Sequence, residues 1–264
     1  MSIRREFLKE AAAVLGLPFL PEASINSSER ANLKFAVASD GHFGQNNTPY
    51  EMYFDNLVHW LNQTENLDLV FFNGDLIHDE PTYLAQAKKT LDQLKMPWYA
   101  IQGNHDRVSA LEWEKTLGYP VNHVVSKGET AFVLGTTSNQ AGEYLCADLD
   151  WLKATLDDLK AARQVFVLLH ISQKDWVANG VDCPKVINLL ANTKNVKAVF
   201  HGHDHQQHFT KYYQGKPFVF SGHMGGNWGQ EYKGYRLVEV FENGKVKIQQ
   251  INPLGNAVVE EIWV

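Results

Sequence analysis

Short apolar runs alternate with amphipathic helical segments along most of this chain, and this alternation limits the fold more than any other feature. LKFAVAS at 33–39 predicts a buried strand, YEMYFDNLVHWLNQ at 50–63 predicts a helix, and LDLVFFN at 67–73 predicts a second strand. A further helix at about 83–95 leads to the strand-like run at 96–101. Strand–helix–strand order implies parallel pairing through crossover helices, so the sequence predicts an α/β fold.

The second half of the chain adds more strand-like runs and further helical segments. The runs are TAFVLGTT, RQVFVLLH, VKAVFH, KPFVFSG, YRLVEVF and KVKIQQI, and the helical segments are LDWLKATLDDLKAA and PKVINLLAN. The last hundred residues contain hairpin-like pairs, so we expect two packed sheets with helices outside them. With 264 residues, 44% of them hydrophobic, the chain can bury the core of one such domain, which we place at 33–264.

The first 24 residues have the order of an export signal. Arg4 and Arg5 precede a short apolar stretch at 11–20, and small and polar residues follow it. This stretch is too short to span a bilayer of roughly 30 Å, so we expect no stable membrane anchor. The polar segment 25–32 predicts a linker to the folded domain.

The run RREFLK at 4–9 resembles the twin-arginine export signal. That resemblance implies that the protein folds first and is then moved by the export machinery to a periplasmic or extracellular location. The alternative is an ordinary N-terminal helix. No cysteine lies near the expected cleavage region, so a lipid-anchored form is not expected.

A short polar block follows each of five predicted strands. Singly, such blocks are more often structural, but the carboxyl ends of strands in open α/β sheets meet at one crevice, where ligands bind. Carboxylate, carboxamide and imidazole groups are ligands of divalent transition metals, so the five blocks predict a metal site. In chain order they are Asp40-Gly41-His42, Gly74-Asp75, Gly103-Asn104-His105-Asp106, the single His170, and His201-Gly202-His203-Asp204-His205.

Together the blocks resemble the calcineurin-like metallophosphoesterases, whose pattern is D-x-H, G-D, G-N-H-D, a lone H and G-H-x-H. Every block is complete between Asp40 and His205. The resemblance, which covers about residues 33–245, implies a four-layer α-β-β-α sandwich of two mixed sheets flanked by helices. It also implies two metal ions at the strand ends, and the ligand types leave their identity open among Mn, Fe and Zn.

The same resemblance divides the ligands into two sets around a bridging carboxylate. Two cations roughly 3.5–4 Å apart need a shared anion, and that role falls to Asp75. Water held on the ions would lose a proton near neutral pH and attack phosphorus. His105 would protonate the leaving group, and Asp106 would orient its ring. One ion would be held by Asp40, His42 and His205, and the other by Asn104, His170 and His203.

The three histidines of the last block are expected to differ in role. Residues two apart in extended backbone point the same way, so His203 and His205 would reach neighbouring ions from one loop. His201 lies nearer the strand, and the family pattern assigns it no position, so we expect it to be structural or to support a ligand without touching the metal.

Two further residues near the blocks are candidates to contact substrate. Arg107 adjoins the G-N-H-D block, and His78 follows Asp75 by three residues, where it would touch substrate or cap the loop. Purple acid phosphatases, a branch of the same superfamily, need a tyrosine at that place and lack the histidine that corresponds to His42. A tyrosine-ligated ferric site is therefore not expected, and the pattern is closer to the bacterial cyclic-nucleotide phosphodiesterases.

The glycine-rich segment SGHMGGNWGQEY at 221–232 supplies two more candidates. It follows a predicted strand, so His223 and Trp228 would form one wall of the pocket. A surface loop with a packed tryptophan is the alternative. The two cysteines, Cys146 and Cys183, are too few for a disulfide framework, and their redox state stays open.

These features predict a dinuclear metal-dependent hydrolase of small phosphate esters that favours phosphodiesters such as cyclic nucleotides. The net charge of -6, with no basic stripe, argues against a nucleic-acid polymer and hence against a nuclease. A monoester dianion is commonly met by arginine, and the arginines after residue 24 are few: Arg30, Arg107, Arg163 and Arg236. The alternatives are a phosphomonoesterase on the same site and a non-catalytic metal-binding scaffold.

Overall fold

Two six-stranded mixed sheets form the centre of the fold. The computed structural model describes residues 31–264, so the predicted export signal and all but the last two residues of the predicted linker lie outside the described residues. In chain order the strands are β1 (Ala31–Ala38), β2 (Leu69–Asn73), β3 (Trp98–Ile101), β4 (His123–Lys127), β5 (Thr130–Gly135), β6 (Gln164–Leu169), β7 (Val196–His201), β8 (Thr210–Tyr213), β9 (Lys216–Phe220), β10 (Tyr235–Phe241), β11 (Val246–Asn252) and β12 (Ala257–Trp263).

Each sheet has a parallel part and an antiparallel part. The first sheet has the order β12-β11-β10-β1-β2-β3, in which β1, β2 and β3 are parallel and the other pairs are antiparallel. The second has the order β4-β5-β6-β7-β9-β8, in which β5, β6, β7 and β9 are parallel and the two edge strands are antiparallel. The parallel strands of both sheets therefore carry the loops that the sequence singled out.

Helices cover the outer face of each sheet, which confirms the predicted four-layer α-β-β-α sandwich. Three helices, α1 (Tyr50–Gln63), α2 (Tyr83–Leu91) and α3 (Ala110–Leu117), pack on the first sheet. Two others, α4 (Leu149–Asp158) and α5 (Pro184–Asn192), pack on the second. Within the described residues, no helix combines the length and the apolar character needed to cross a membrane.

Helix boundaries follow from local sequence. In α1 the buried residues recur at helical spacing, at Phe54, Leu57, Val58 and Leu61, so one face of the helix packs on the sheet. The side chain of Asp148 accepts hydrogen bonds from two backbone amides in the first turn of α4, and such a cap fixes where a helix begins.

Phenylalanine side chains fill the layer between the sheets. Phe35 of β1 lies with its ring centroid 4.9 Å from those of both Phe132 and Phe166. On β1 the side chains alternate, so Phe35 and Val37 face the other sheet while Ala36 and Ala38 face the helices. Small residues beneath the helices and large rings between the sheets hold the strand ends in fixed positions.

Four elements were not predicted from the sequence, and two others differ in their bounds. The unpredicted elements are the strands β4, β8 and β12 and the helix α3. The predicted helix at 83–95 ends at Leu91. β1 begins at Ala31, inside the predicted linker.

Candidate metal centre

The strand-end loops of both sheets meet and are tied together by backbone hydrogen bonds. The amide of Asp40, after β1, donates to the carbonyl of Gly74, after β2, at 3.0 Å. Across the two sheets, the amide of His203, after β7, donates to both carboxylate oxygens of Asp40 at 3.1 and 3.0 Å. The polar blocks predicted to converge on one crevice therefore lie together at one end of the sandwich.

Six non-glycine residues in or near the polar blocks have left-handed backbone. Such φ angles are uncommon outside glycine and cluster at functional sites, where the surrounding structure holds them. The sharp turns let consecutive residues of one loop point into the same crevice. These residues are Asp40 (φ 59°), His42 (49°), Asp75 (52°), Asp79 (60°), Arg107 (46°) and His203 (65°).

Two glycines permit the close approach of ligand side chains. A Cβ atom at Gly103 would lie 2.3 Å from Oδ1 of Asp75, and one at Gly74 would lie 2.3 Å from Nδ1 of His170. Both distances are shorter than any real contact, so these positions exclude every residue with a side chain.

Asp40, His42 and His205 form the first group of candidate ligands, with one atom from each within 4.8 Å of the others. Nε2 of His205 lies 2.9 Å from Nε2 of His42 and 3.2 Å from Oδ1 of Asp40. Nδ1 of His205 donates to the carbonyl of Trp228 at 3.3 Å, so in the neutral ring Nε2 carries a lone pair. That lone pair points at the other two ligands, as metal binding requires.

Asp75, His170 and His203 form the second group, also within 4.8 Å. Nδ1 of His170 donates to the carbonyl of Asn73 at 2.6 Å, so its Nε2 lone pair faces Oδ2 of Asp75 at 3.2 Å. A lone pair facing a carboxylate oxygen is repelled unless a cation lies between them. Burial alone would lower the pKa of His170, but the charges of Asp75 and Asp40 outweigh it and raise the pKa to about 10, so without a metal a proton fills this place.

Unpaired buried atoms identify the remaining ligands of this second group. Among the described residues, Nε2 of His203 and Oδ1 of Asn104 are buried without a hydrogen-bond partner, and Nε2 of His170 has the carboxylate of Asp75 beside it. Unpaired buried polar atoms are costly, and a bound cation would satisfy them. Burial also lowers the pKa of His203 to about 4, which keeps its ring neutral and able to bind metal.

Asp75 stands between the two groups. Its Oδ2 lies 3.9 Å from Nε2 of His42 and 3.2 Å from Nε2 of His170. The amide of His105 donates to Oδ1 at 2.7 Å and fixes the carboxylate plane. Asp40 also reaches both groups, since its Oδ1 lies 3.2 Å from Nε2 of His205 and 3.9 Å from Nε2 of His170. The donor set of the two groups fits divalent transition metals.

Asp106 does not orient the ring of His105, which corrects the expectation from sequence. Its carboxylate is fully buried and accepts hydrogen bonds from the backbone amides of Asp75, Ile77 and Gly103. Burial, together with the charge of Asp75, raises the pKa of Asp106 to about 7. This residue ties the loops after β2 and β3 together and faces away from the His105 ring.

The ring of His105 is held by Asp79, which the sequence did not single out. Oδ1 of Asp79 lies 3.1 Å from Nδ1 of His105 and 2.7 Å from Nε of Arg107. The backbone amide of Asp79 also donates to the carbonyl of His105 at 2.8 Å. Asp79 therefore fixes the side chain of His105, the predicted proton donor, and that of Arg107, a predicted substrate contact.

His78 lies among the ligands. Its Nδ1 is 3.0 Å from Nδ1 of His42, and its ring stacks on that of His105 with centroids 4.8 Å apart. A hydrogen bond at Nδ1 of His42 directs Nε2 of that ring to the metal position. His78 is thus placed to orient His42, and 23% of its side chain is exposed to solvent.

His223 is not available to a substrate, contrary to the prediction, whereas Trp228 is. His223 is buried, and its two ring nitrogens face the carbonyls of Gly225 at 2.6 Å and Gln230 at 2.9 Å. It braces the 221–232 segment from inside. Trp228 is 38% exposed and stacks on His205, with centroids 4.2 Å apart.

A disulfide and a tyrosine complete the surroundings of the site. Cys146 and Cys183 are bonded, which joins the loop after β5 to the loop after β6. Tyr144, two residues before Cys146, lies edge-on against His203 with centroids 4.6 Å apart. Tyr144 was not predicted from the sequence, although its loop follows a parallel strand, as the ligand loops do.

Known proteins resemble the chain in sequence and in fold. The family model described as Calcineurin-like phosphoesterase matches residues 33–207. A probable cyclic nucleotide phosphodiesterase, PSM_A2567 of Pseudoalteromonas sp. (strain SM9913), is 26% identical over 249 residues, which cover 84% of this chain and 93% of that protein.

Two solved structures share the fold at low sequence identity. A dimetal phosphatase from Danio rerio superposes with a TM-score of 0.70 at 13% identity, covering 89% of this chain and 99% of that one. The purple acid phosphatase PPD1 from yellow lupin (Lupinus luteus) gives 0.66 at 14% identity, covering 88% of this chain and 53% of the other.

Proposed function

Because the chain belongs to the calcineurin-like phosphoesterase family, we propose that it uses two metal ions to hydrolyse small phosphodiesters, cyclic nucleotides among them. The ions would be drawn from Mn, Fe and Zn, which suit a mixed carboxylate, amide and imidazole site. Asp40, His42 and His205 would hold one ion and Asn104, His170 and His203 the other, with Asp75 shared. The resemblance to a probable cyclic nucleotide phosphodiesterase supports the choice of substrate class.

The protein's own residues would divide the work of hydrolysis. When bound, the two ions supply an activated water and positive charge beside the phosphate. His105 has 27% of its side chain exposed to solvent, so a substrate can reach it. Asp79 accepts at Nδ1 of His105, which leaves Nε2 to deliver a proton to the departing oxygen. Asp79 is a positioning residue in this scheme, since it acts through the ring that it holds.

The scarcity of free arginine at the site carries the preference for diesters. Of the arginines in residues 31–264, Arg163 bonds the carbonyl of Glu242, and Arg236 is buried against Glu260. Arg107 alone adjoins the ligands, and Asp79 already neutralises it. A monoester dianion brings one more negative charge than a diester, so a site with no free cationic clamp favours the diester.

We expect kcat/KM for bis(p-nitrophenyl) phosphate to exceed that for p-nitrophenyl phosphate, and cyclic AMP to be cleaved faster than a nucleotide monophosphate. The comparison uses purified protein whose metal content has been measured. A monoester preference of about tenfold or more, which is about 1.4 kcal/mol of transition-state stabilisation, would contradict the proposal and leave a phosphomonoesterase on the same ions. Metal binding without hydrolysis of any ester would indicate a scaffold.

We also propose that the protein is exported. The disulfide between Cys146 and Cys183 supports an oxidising compartment, where such bonds persist. We expect mature protein to lack about the first 24 residues, and the double variant Arg4→Lys/Arg5→Lys to stay in the cytoplasm, as measured by cell fractionation and intact mass. Unchanged export of the double variant would exclude the twin-arginine signal.

A further inference from the structure

Two half-exposed aromatic rings stand over the two groups of metal ligands, one over each. Trp228 is 38% exposed, and its ring lies parallel to His205 with centroids 4.2 Å apart and planes at 11°. It also lies 4.7 Å from His42, the other histidine of the first group. Tyr144 is 43% exposed and meets His203, of the second group, edge-on at 4.6 Å and 82°.

The loop of Tyr144 is held in place from both ends. A β-bridge pairs Tyr144 with Ser138, and the side chain of Asn139 accepts from two backbone amides of the same loop. Two residues on, Cys146 is bonded to Cys183. A ring carried on a fixed loop loses little conformational freedom when it contacts a ligand, which favours binding.

The loop of Trp228 is fixed by its close contact with a metal ligand. The backbone carbonyl of Trp228 accepts a hydrogen bond from Nδ1 of His205 at 3.3 Å. The next residue, Gly229, has φ 97°, and a Cβ atom there would lie 2.4 Å from Cβ of His205. The backbone of this loop therefore runs directly along His205.

Single exposed aromatic residues are common on protein surfaces. Here the two rings share one site, each rests on a different metal ligand, and each keeps more than a third of its surface open to solvent. Flat apolar groups stack on such rings, and every nucleobase has a suitable face. The rings are therefore placed to contact whatever the phosphorus carries.

The position of His105 distinguishes the two sides. Its ring lies 5.0 Å from that of His42 and 6.3 Å from that of Trp228. The leaving-group oxygen must lie near the proton donor, so the leaving group extends toward Trp228. The other organic substituent of a diester, which stays on phosphorus, then has the Tyr144 side open to it.

We propose that, in linear phosphodiesters, Trp228 contacts the leaving group and Tyr144 contacts the retained group, so that Tyr144 selects linear diesters with a flat retained substituent such as a nucleoside or an aryl group. This inference rests on the proposed function and assigns a substrate class to the same site. A phosphomonoester has no retained organic group, so Tyr144 has nothing to hold in such a substrate.

The test keeps the leaving group constant and changes the retained group. Methyl p-nitrophenyl phosphate, bis(p-nitrophenyl) phosphate and thymidine 5′-(p-nitrophenyl phosphate) all release p-nitrophenolate. We expect Tyr144→Ala to lower the kcat/KM ratio of either flat diester to the methyl diester by about fivefold or more, the size of one stacking contact. Trp228→Ala should lower all three rates by a similar factor and leave that ratio within about twofold.

Matched variants separate contact from damage to the site. Tyr144→Phe and Trp228→Phe should keep most of the wild-type ratio and rates, and every variant must retain wild-type metal content. Tyr212, which is 58% exposed on β8, provides a distant tyrosine, and Tyr212→Ala should leave the ratio unchanged.

The outcomes distinguish this inference from the function on which it rests. An active wild type in which Tyr144→Ala leaves the ratio unchanged, or in which Trp228→Ala shifts it instead, overturns the assignment alone. A wild type inactive on all three esters contradicts the proposed function and this inference with it.

Discussion

Asp75→Asn should lower kcat/KM by at least about 10²-fold and reduce the metal content below two ions per chain. The carboxamide keeps the size of the side chain but removes the negative charge that both ions would share, and loss of such a group typically costs ten- to a hundredfold in affinity or more. In the wild type, Oδ2 of Asp75 faces both ligand groups, within 3.9 Å of His42 and 3.2 Å of His170. Elemental analysis and steady-state kinetics on the same preparation measure both effects.

Thermal unfolding provides a readout of this variant that does not depend on activity. A bound metal stabilises the folded state alone, so a chelator should lower the Tm of the wild type. The same treatment should shift the Tm of Asp75→Asn much less, because less metal is bound. Asp204→Asn is a matched control: it removes a carboxylate between His203 and His205 that accepts a hydrogen bond from the backbone amide of Gln206. Active wild-type protein with one ion or none would refute the two-metal site.

His105→Ala should keep both ions and lose activity according to the leaving group. With a basic leaving group such as a nucleoside alkoxide, we expect a fall in kcat of about 10²-fold or more, the usual contribution of a general acid. With p-nitrophenolate, which departs without a proton, the fall should be within about tenfold. A series of diesters with leaving groups of increasing pKa measures the difference, and a steeper dependence in the variant is the expected signature.

Asp79→Asn tests the assignment of the proton donor from the other side of the ring. The amide still fits beside Nδ1 of His105 but removes the carboxylate charge from the contact that holds the ring. We expect the same dependence on leaving group in weaker form, with metal content unchanged. Equal losses for good and poor leaving groups in both variants would exclude His105 as the acid.

Much of the fold could be predicted because its strands are apolar and its helices amphipathic. The predicted helix at 50–63 has the bounds found in the structure, since its apolar residues keep a regular spacing. β12 and β4 escaped prediction because most of their side chains are exposed or only partly buried. Both are edge strands that gain their order by pairing with the adjacent strand in the chain, and their few buried residues leave little trace in a local pattern.

The candidate ligands could be predicted from chain position, but their orienting partners could not. Each ligand follows a strand, and the fold alone brings strand ends together. Asp79 meets His105 only because the loop after β2 turns through left-handed backbone, which a spacing cannot reveal. His203 and His205 were predicted from extended backbone, yet His203 has φ 65°, so they share the crevice for a different reason.

The disulfide bond and the position of Tyr144 beside the ligands also could not be predicted from the local sequence pattern. Cys146 and Cys183 are 37 residues apart, and two cysteines alone do not show whether they meet. Tyr144 reaches the site because the loop after β5 bends back to bridge Ser138. Its neighbours in the chain give no sign of metal chemistry.

The left-handed residues of the centre govern how any mutational survey of it must be interpreted. At Asp40, His42, Asp75 and His203 the backbone conformation is one that asparagine tolerates and β-branched residues resist. A valine or threonine there would lose function through the main chain before its missing ligand atom mattered. Asparagine scanning therefore reports on side-chain chemistry at these four positions, whereas saturation libraries would rank residues largely by torsional preference.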